Sequence, residues 1–333
     1  MDYIELSDNA ARQAIDSTTI FNEFLRVKAQ AQPYIGGMYW KRQGDYQYLV
    51  KTQPDNRQRR VGPRTPDSEK IYAEFTTRKR DLEARLQSLR DALTDAERLN
   101  KALKVGRVPG IVVSVLQTLE DANLGPHFTV VGTHALYAYE SAASVRIVQG
   151  ALATQDVDLL WDARKRVRFI TSLDRLETSM LRVLQRADAT FVRKEGQLET
   201  AINAKGFEVD FLRRQPEGDD PHPFRFSDDE DDLWPVPAVR AGVLTNAPRF
   251  EQVVMAATGR MTLMRTIAPE TFIEFKRWMA ANVPQRLESK RRRDLRQADI
   301  VQTLLEQGLL PVNALSATAI DLPLKNTLHT KPL

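Results

Sequence analysis

The chain has 333 residues, 48 Lys and Arg against 44 Asp and Glu for a formal charge of +4, and no cysteine. Charge this nearly balanced is not that of a tail that coats nucleic acid, and the lack of cysteine excludes disulfide frameworks, Cys-ligated zinc, iron–sulfur clusters and thiol nucleophiles. With 42% hydrophobic and 28% charged residues, the composition is that of a globular chain whose length suits two or three domains. No stretch approaches the roughly 20 apolar residues of a membrane span, and MDYIELSDNA has neither the basic nor the apolar region of a signal peptide, so the expected location is cytoplasmic.

Residues 8–31 carry Ile15, Ile20, Phe24 and Val27 at helical spacing behind Ser7 and Asp8, and Pro33 ends the pattern, which predicts a helix. GGMYWK and YQYLVK, either side of Gln43-Gly44-Asp45, predict a hairpin. Asp55 to Arg64 is polar, basic and broken by Gly62-Pro63, and is expected as a loop. Thr65-Pro66-Asp67-Ser68-Glu69 then supplies a cap, a proline and first-turn acids for a new helix. That helix is long, with Leu82, Leu86, Leu89, Leu93, Ala96 and Leu103 on one face until Gly106 and Pro109. Its apolar stripe either forms a coiled-coil arm, giving a homodimer, or packs within its own domain; the short repeat favours the second.

From Gly110 the texture becomes mixed α/β. A helix (IVVSVLQTLEDA), a strand (FTVVG), a helix (THALYAYESAA), a strand (DVDLLWD), a helix near 174–186 and further strands (DATFVRK, LETAINA, FEVDFLR) predict a mixed sheet with helices on one face. A polar, proline-rich loop through SDDEDD follows. Helices are expected again from Pro269 (FIEFKRWMAANV) and from Leu287 to Glu306. Domain changes are placed near 109 and 245.

In ATQDVDLLWD, strand alternation projects Asp156 and Asp158 from one face and Val157 from the other. Two acids side by side repel, and burying them calls for a cation; an oxygen-rich set of this kind suits Mg²⁺ or Mn²⁺. Upstream, VVGTHALYAYE is a strand, a sharp turn at Gly132 and a helix that Thr133 is placed to cap, and free backbone N–H groups at such a helix start favour phosphate. Downstream, GFEVDFL sets Asp210 in an apolar strand, an unusual place for a lone acid.

The order Gly-Thr at a strand–helix turn, Asp-x-Asp on the next strand and a third Asp on a later one resembles the nucleotidyltransferase fold of the DNA polymerase β superfamily. VVGTHALYAYESAASVR, TQDVDLLWDAR and AINAKGFEVDFLR look like a bacterial nucleotidyltransferase-like family within it, as do GGMYWK, RRVGPRTPDSE, APRFEQVV, FKRWM and KRRRDLRQA, over roughly residues 20–310. The resemblance implies an α/β (α+β) mixed-sheet catalytic core (110–245), an N-terminal helix–hairpin–long-helix region (1–109) and a C-terminal helical region (246–333). It implies transfer of an NMP from an NTP to a hydroxyl acceptor, with Asp156, Asp158 and Asp210 as catalytic residues and ligands of two Mg²⁺ (or Mn²⁺) ions. Gly132 and Thr133 would hold phosphates, with Lys276, Lys290 and Arg293 as C-terminal cations and Lys41, Arg60 and Arg64 as further candidates. The acceptor stays open among a small molecule, an RNA end and a protein; no membrane partner is implied. A non-catalytic nucleotide- or RNA-binding module of the same fold is the alternative, against which three intact acids argue.

Several other groups have two readings. His134 either touches a nucleotide or is structural; Tyr137, Tyr139 and Trp161 either stack a base or fill the core, the commoner case. The run Asp228–Asp232 is expected to be a solvated loop. Arg293 and Asp294, within the basic run Lys290–Arg296, either face phosphates or tie neighbouring elements together.

Overall fold

A computed structural model describes residues 2–53, 56–152, 154–174, 176–284 and 286–310. The chain divides into two units, a smaller one of Ser7–Arg107 with Met255–Met261, and a larger one of residues 2–6, 108–254 and 262–310. Its first strand, β1 (Tyr3–Glu5), belongs to the larger unit.

In the smaller unit, helix α1 (Asp8–Ala31) starts at Ser7, whose hydroxyl accepts from the Ala10 N–H. Three antiparallel strands follow, β2 (Gly37–Gln43), β3 (Tyr46–Thr52) and β4 (Gln58–Pro63), and then the long helix α2 (Pro66–Ala102). The basic stretch expected as a loop is therefore mostly strand; Asp55 itself lies outside the described residues. Its polarity hid it because β4 is a sheet edge, where charged residues are what natural edges carry, and the register shift at Leu49/Val50 absorbs the Gly62-Pro63 break. Helix α2 begins with a capping box closed by Ser68: Thr65 Oγ1 accepts from the Ser68 N–H and Ser68 Oγ from the Thr65 N–H. The apolar stripe of α2 is covered from within, since Leu82, Leu86 and Leu89 form one buried cluster with Val27 and with the partly buried Ile20 and Phe24 of α1. A buried polar tie joins the same helices, with Ser17 Oγ donating to Asn100 Oδ1 at 2.7 Å.

The larger unit runs through α3 (Gly110–Asp121), β5 (Phe128–Val131), α4 (Leu136–Ala142), β6 (Val145–Ile147), which pairs with β1, and α5 (Gln149–Leu152) to β7 (Asp156–Trp161). It continues with α6 (Arg166–Asp174), α7 (Met180–Gln185), β8 (Val192–Arg193), β9 (Thr200–Ile202), β10 (Glu208–Arg213), β11 (Val236–Pro237) and α8 (Ala241–Asn246). A hairpin of β12 (Arg249–Met255) and β13 (Met261–Ile267) precedes α9 (Pro269–Asn282) and α10 (Glu288–Glu306). The helix expected near 174–186 is two shorter ones, α6 and α7. Both terminal helices fall where the periodicity places them, whereas the hairpin before them was not read from the sequence.

The sheet runs β5-β7-β10-β9-β8 with β11 alongside β10. The pairs β7–β10 and β10–β11 are parallel, and β5–β7, β9–β10 and β8–β9 are antiparallel, so the sheet is mixed as expected. Alternation divides its faces. Phe128, Trp161 and Phe211 point to one side, where they pack with Phe169 of α6 and with Phe226. On the other side lie the acids together with Leu160 and Leu212, and beyond them α9 and α10. Elements thus cover both faces, not one, because the acid-bearing face becomes a cleft that a second set of helices must close. The hairpin is tied to this core by Thr266 Oγ1 donating to Val130 O and Tyr139 Oη to Ile267 O, both at 2.7 Å. Tyr137, Tyr139 and Trp161 are buried core residues.

Removing methylenes from the α1–α2 seam leaves a cavity that two helices cannot close. Leu86→Ala should cost about 2–4 kcal/mol by denaturant unfolding; a loss below about 1 kcal/mol would mean that the seam is not packed as described.

Candidate active site

The register of two strands builds the site. In β7 and β10, Asp158 is directly opposite Asp210 and Asp156 opposite Glu208, so that in a parallel pair the three aspartates share one face. One carboxylate oxygen from each of Asp156, Asp158 and Asp210 lies within 4.8 Å of the others. On the other flank of β7, Asp158 pairs with Val131, which delivers the chain to Gly132. Two hydroxyls fix the outer acids: Thr200 Oγ1, on the neighbouring β9, donates to Asp210 Oδ1 at 2.6 Å, and Thr154 Oγ1 donates to Asp156 Oδ1.

Gly132 is required twice over. Its φ is +70°, and a Cβ there would sit 2.3 Å from Asp158 Oδ2. The turn after it is a single 3₁₀ turn, Gly132–Ala135, that leads into α4. Thr133 does not cap this helix, contrary to the sequence expectation. Its hydroxyl instead accepts from Gln297 Nε2 of α10 at 3.2 Å, and the same amide donates to Ala151 O at 2.6 Å, so α10 braces the turn. His134 is buried against Tyr137 and Phe207, and burial pushes its pKa down to about 4, so it is neutral at physiological pH.

Asp156 and Asp158 line a cavity of about 310 Å³ together with Gly132 and Thr133, whereas Asp210 meets them through the carboxylate cluster and does not line it. Gly132, Thr133, Asp156 and Asp158 make one wall; Lys276, Arg286, Lys290 and Arg293 bring positive charge from α9, α10 and the link between them. An apolar end is formed by Leu160, Leu212, Leu244, Phe275, Met279 and Val283. Of the cations singled out from the sequence, Lys276, Lys290 and Arg293 thus lie at the cavity with Asp156 and Asp158. Lys41, Arg60 and Arg64 belong to the smaller unit, where Arg60 stacks over Tyr48 and Arg64 over Trp40.

The charges are organised around Asp294, which is fully buried. Lys276 Nζ donates to its Oδ1 at 3.1 Å and Arg286 Nε to its Oδ2 at 2.5 Å, so both of its oxygens hold a cavity cation. Sequence reasoning allowed Asp294 such a tie but missed Arg286, Thr200 and Gln297. Arg286 sits alone between two helices, and nothing in its neighbours marks it. The acid run behaves differently from expectation at one position: Asp232 is buried and accepts from the Leu181 N–H at 2.9 Å and Ser227 Oγ at 2.6 Å.

Burial first, and then the charges of Asp156 and Asp210, push the Asp158 carboxyl up to about 7, against the opposing pull of Lys276 and Lys290. Asp210 is also raised, chiefly by burial, with the Thr200 hydroxyl opposing. Lys276 is lowered, by burial above all. A site that leaves its carboxylates this uncomfortable carries a deficit of positive charge at its centre, and three clustered oxygen donors fit a hard divalent cation.

A nucleotidyltransferase family model matches residues 111–321, more than half of the chain, and the chain belongs to that family. Comparison with curated proteins and with solved structures finds no match. Among the described residues no helix is long and apolar enough to cross a membrane.

The raised Asp158 gives a stability test with a definite sign. Below about pH 4 the carboxyl is protonated in both folded and unfolded states; its ionised form is disfavoured only in the fold, so a penalty builds from about pH 4 to 7 and stays constant above. In a chelator, Asp158→Asn should therefore unfold at a higher temperature than wild type at about pH 8, on the order of a few kcal/mol, with the gain shrinking toward pH 4. A variant no more stable at pH 8 would contradict the charge deficit.

Proposed function

We propose that this chain transfers an NMP from an NTP to a hydroxyl acceptor, with Asp156, Asp158 and Asp210 as its metal ligands and catalytic residues. The observation that carries the reading is the convergence of three carboxylates on one strand face, at a turn whose glycine cannot be replaced without striking one of them. Two Mg²⁺ (or Mn²⁺) ions held by these acids would neutralise phosphate oxygens and lower the pKa of the acceptor hydroxyl.

The chain's own groups account for the rest. Transfer at the α-phosphorus builds negative charge on the non-bridging oxygens and on the departing pyrophosphate, so fixed cations beside the acids are the electrostatic complement the reaction needs. Lys290 and Arg293 supply them from α10, and Lys276 and Arg286 are oriented by Asp294 rather than left to wander. Gly132 and Thr133 present the turn to the β- and γ-phosphates, with the Thr133 hydroxyl held by Gln297. The apolar side chains of the cavity, among them Leu212, Phe275, Met279 and Val283, are the surface suited to the base. A neutral His134 contributes packing and not charge. A small molecule, an RNA end and a protein hydroxyl all remain open as acceptors.

Thermal unfolding with each NTP, with and without Mg²⁺, tests the reading before any acceptor is known, because a ligand that binds only the folded state raises the midpoint by mass action. One or more NTPs should stabilise the wild type in a Mg²⁺-dependent way, Asp210→Asn should abolish the Mg²⁺ dependence, and Lys290→Ala should weaken nucleotide affinity about tenfold. Stabilisation by NTP that is identical with and without Mg²⁺, or unchanged in Asp210→Asn, would overturn the assignment.

A further inference from the structure

The three-stranded sheet of the smaller unit has two unlike faces. On one, Trp40 contacts Tyr72 of α2, Leu49 is fully buried, and Lys51 lies over Phe75 of α2. The cross-strand register assigns the other. Tyr39 is opposite Val50, which is opposite Arg60; Lys41 is opposite Tyr48; Gln43 is opposite Tyr46. Since paired residues and residues two apart share a face, Tyr39, Lys41, Tyr46, Tyr48 and Arg60 all project from the side turned away from Trp40 and Leu49. The stacking of Arg60 over the Tyr48 ring, 3.3 Å from its centroid, agrees with that assignment.

Around the buried Val50, this face is aromatic, basic and exposed at its Tyr39, Lys41, Tyr46 and Arg60 positions. Tyr46 is 68% exposed and Tyr39 37% exposed, and Lys41 and Arg60 are exposed as well. Large exposed aromatics on a sheet are unusual unless something covers or uses them. Between Gly36 and Arg64 the chain carries seven Lys and Arg against two Asp, an excess of +5 in a protein whose total is +4. This segment therefore carries a marked local excess of positive charge. Among the described residues, Lys41, Arg59 and Arg60 form no ion pair, so their charge is not spent on internal carboxylates.

We propose that the open face of β2–β4 binds single-stranded nucleic acid, with Tyr39 and Tyr46 stacking on bases and Lys41 and Arg60 taking backbone phosphates. Exposed rings interleaved with cations are the chemistry that such strands require: every base has a π face to stack, and every linkage a charge to neutralise. Rings two residues apart on a strand, such as Tyr46 and Tyr48, stand about 7 Å from one another, roughly twice the 3.4 Å rise of stacked bases. The face therefore suits splayed, unstacked bases and not a duplex, whose bases are hidden. The proposal concerns binding alone and stands apart from the transferase reading; where both hold, nucleic acid moves ahead of the other acceptors.

The test is fluorescence anisotropy of a labelled, mixed-sequence 12-nucleotide single-stranded RNA titrated with the full chain. Wild type should bind it, more tightly than the same sequence as a duplex. The exposed Tyr46→Ala and Tyr39→Ala variants, whose folding circular dichroism would check, should each weaken binding about tenfold. Arg60→Gln should weaken it and lower the salt slope by about 0.7. Asp158→Asn should bind as wild type does, which separates failure here from failure of the active-site assignment. Absence of wild-type binding, preference for the duplex, or full affinity in both tyrosine variants would overturn the proposal; the last result would reduce any binding to unspecific attraction by a basic surface.

Discussion

The parallel, in-register pairing of β7 with β10 is the constraint on which the larger unit turns. It sets Asp158 opposite Asp210, and because side chains alternate it sends Val157, Leu159, Val209 and Phe211, which flank those acids in sequence, to the far side of the sheet. A one-residue slip of β10 against β7 would carry Asp210 to the aromatic side, away from Asp156 and Asp158, and turn Phe211 toward the cleft. The aromatic core therefore locks the register that the acid cluster needs, and stability and site geometry are two faces of one sheet.

Clustering the acids creates a cost that the rest of the site is arranged to offset. Helices α9 and α10 and the link between them bring four cations to the cavity, and one fully buried aspartate, Asp294, holds two of them in place. Buried ion pairs of this kind contribute little net stability, so their presence is better explained by positioning than by folding energy. Even with those cations Asp158 is held near neutrality, and the fixed charge of the chain alone does not balance the acids. That residual imbalance is the physical argument for a divalent cation at the site.

Much of this was legible in the sequence, and the failures have identifiable causes. The i, i+2 spacing of Asp156 and Asp158, and the isolation of Asp210 among apolar residues, already assigned their faces. That they meet depended on strand order, which spacing does not encode. The terminal helices and the helix after Thr65 carried periodicity and capping signals strong enough to read. By contrast β4 looks like a loop because edge strands are polar by necessity, and β12–β13 carries no clean alternation because both of its faces are largely buried. Thr133 was assigned a cap from its position alone, whereas its hydroxyl is engaged by Gln297, a partner 164 residues away that no local rule could supply. In the sequence alone the basic residues of the hairpin region read as extra cations for a triphosphate; their interleaving with tyrosines on one face emerges from the register.

The central claim is that the three aspartates together bind a divalent cation, and electron paramagnetic resonance of Mn²⁺ tests it without a nucleotide, an acceptor or turnover. Titrating wild type should deplete the free-Mn²⁺ signal with saturable stoichiometry, Mg²⁺ should compete, and Asp156→Asn should largely restore the free signal at equal protein concentration. Undiminished free Mn²⁺ with the wild type, or binding unchanged in that variant, would contradict the account.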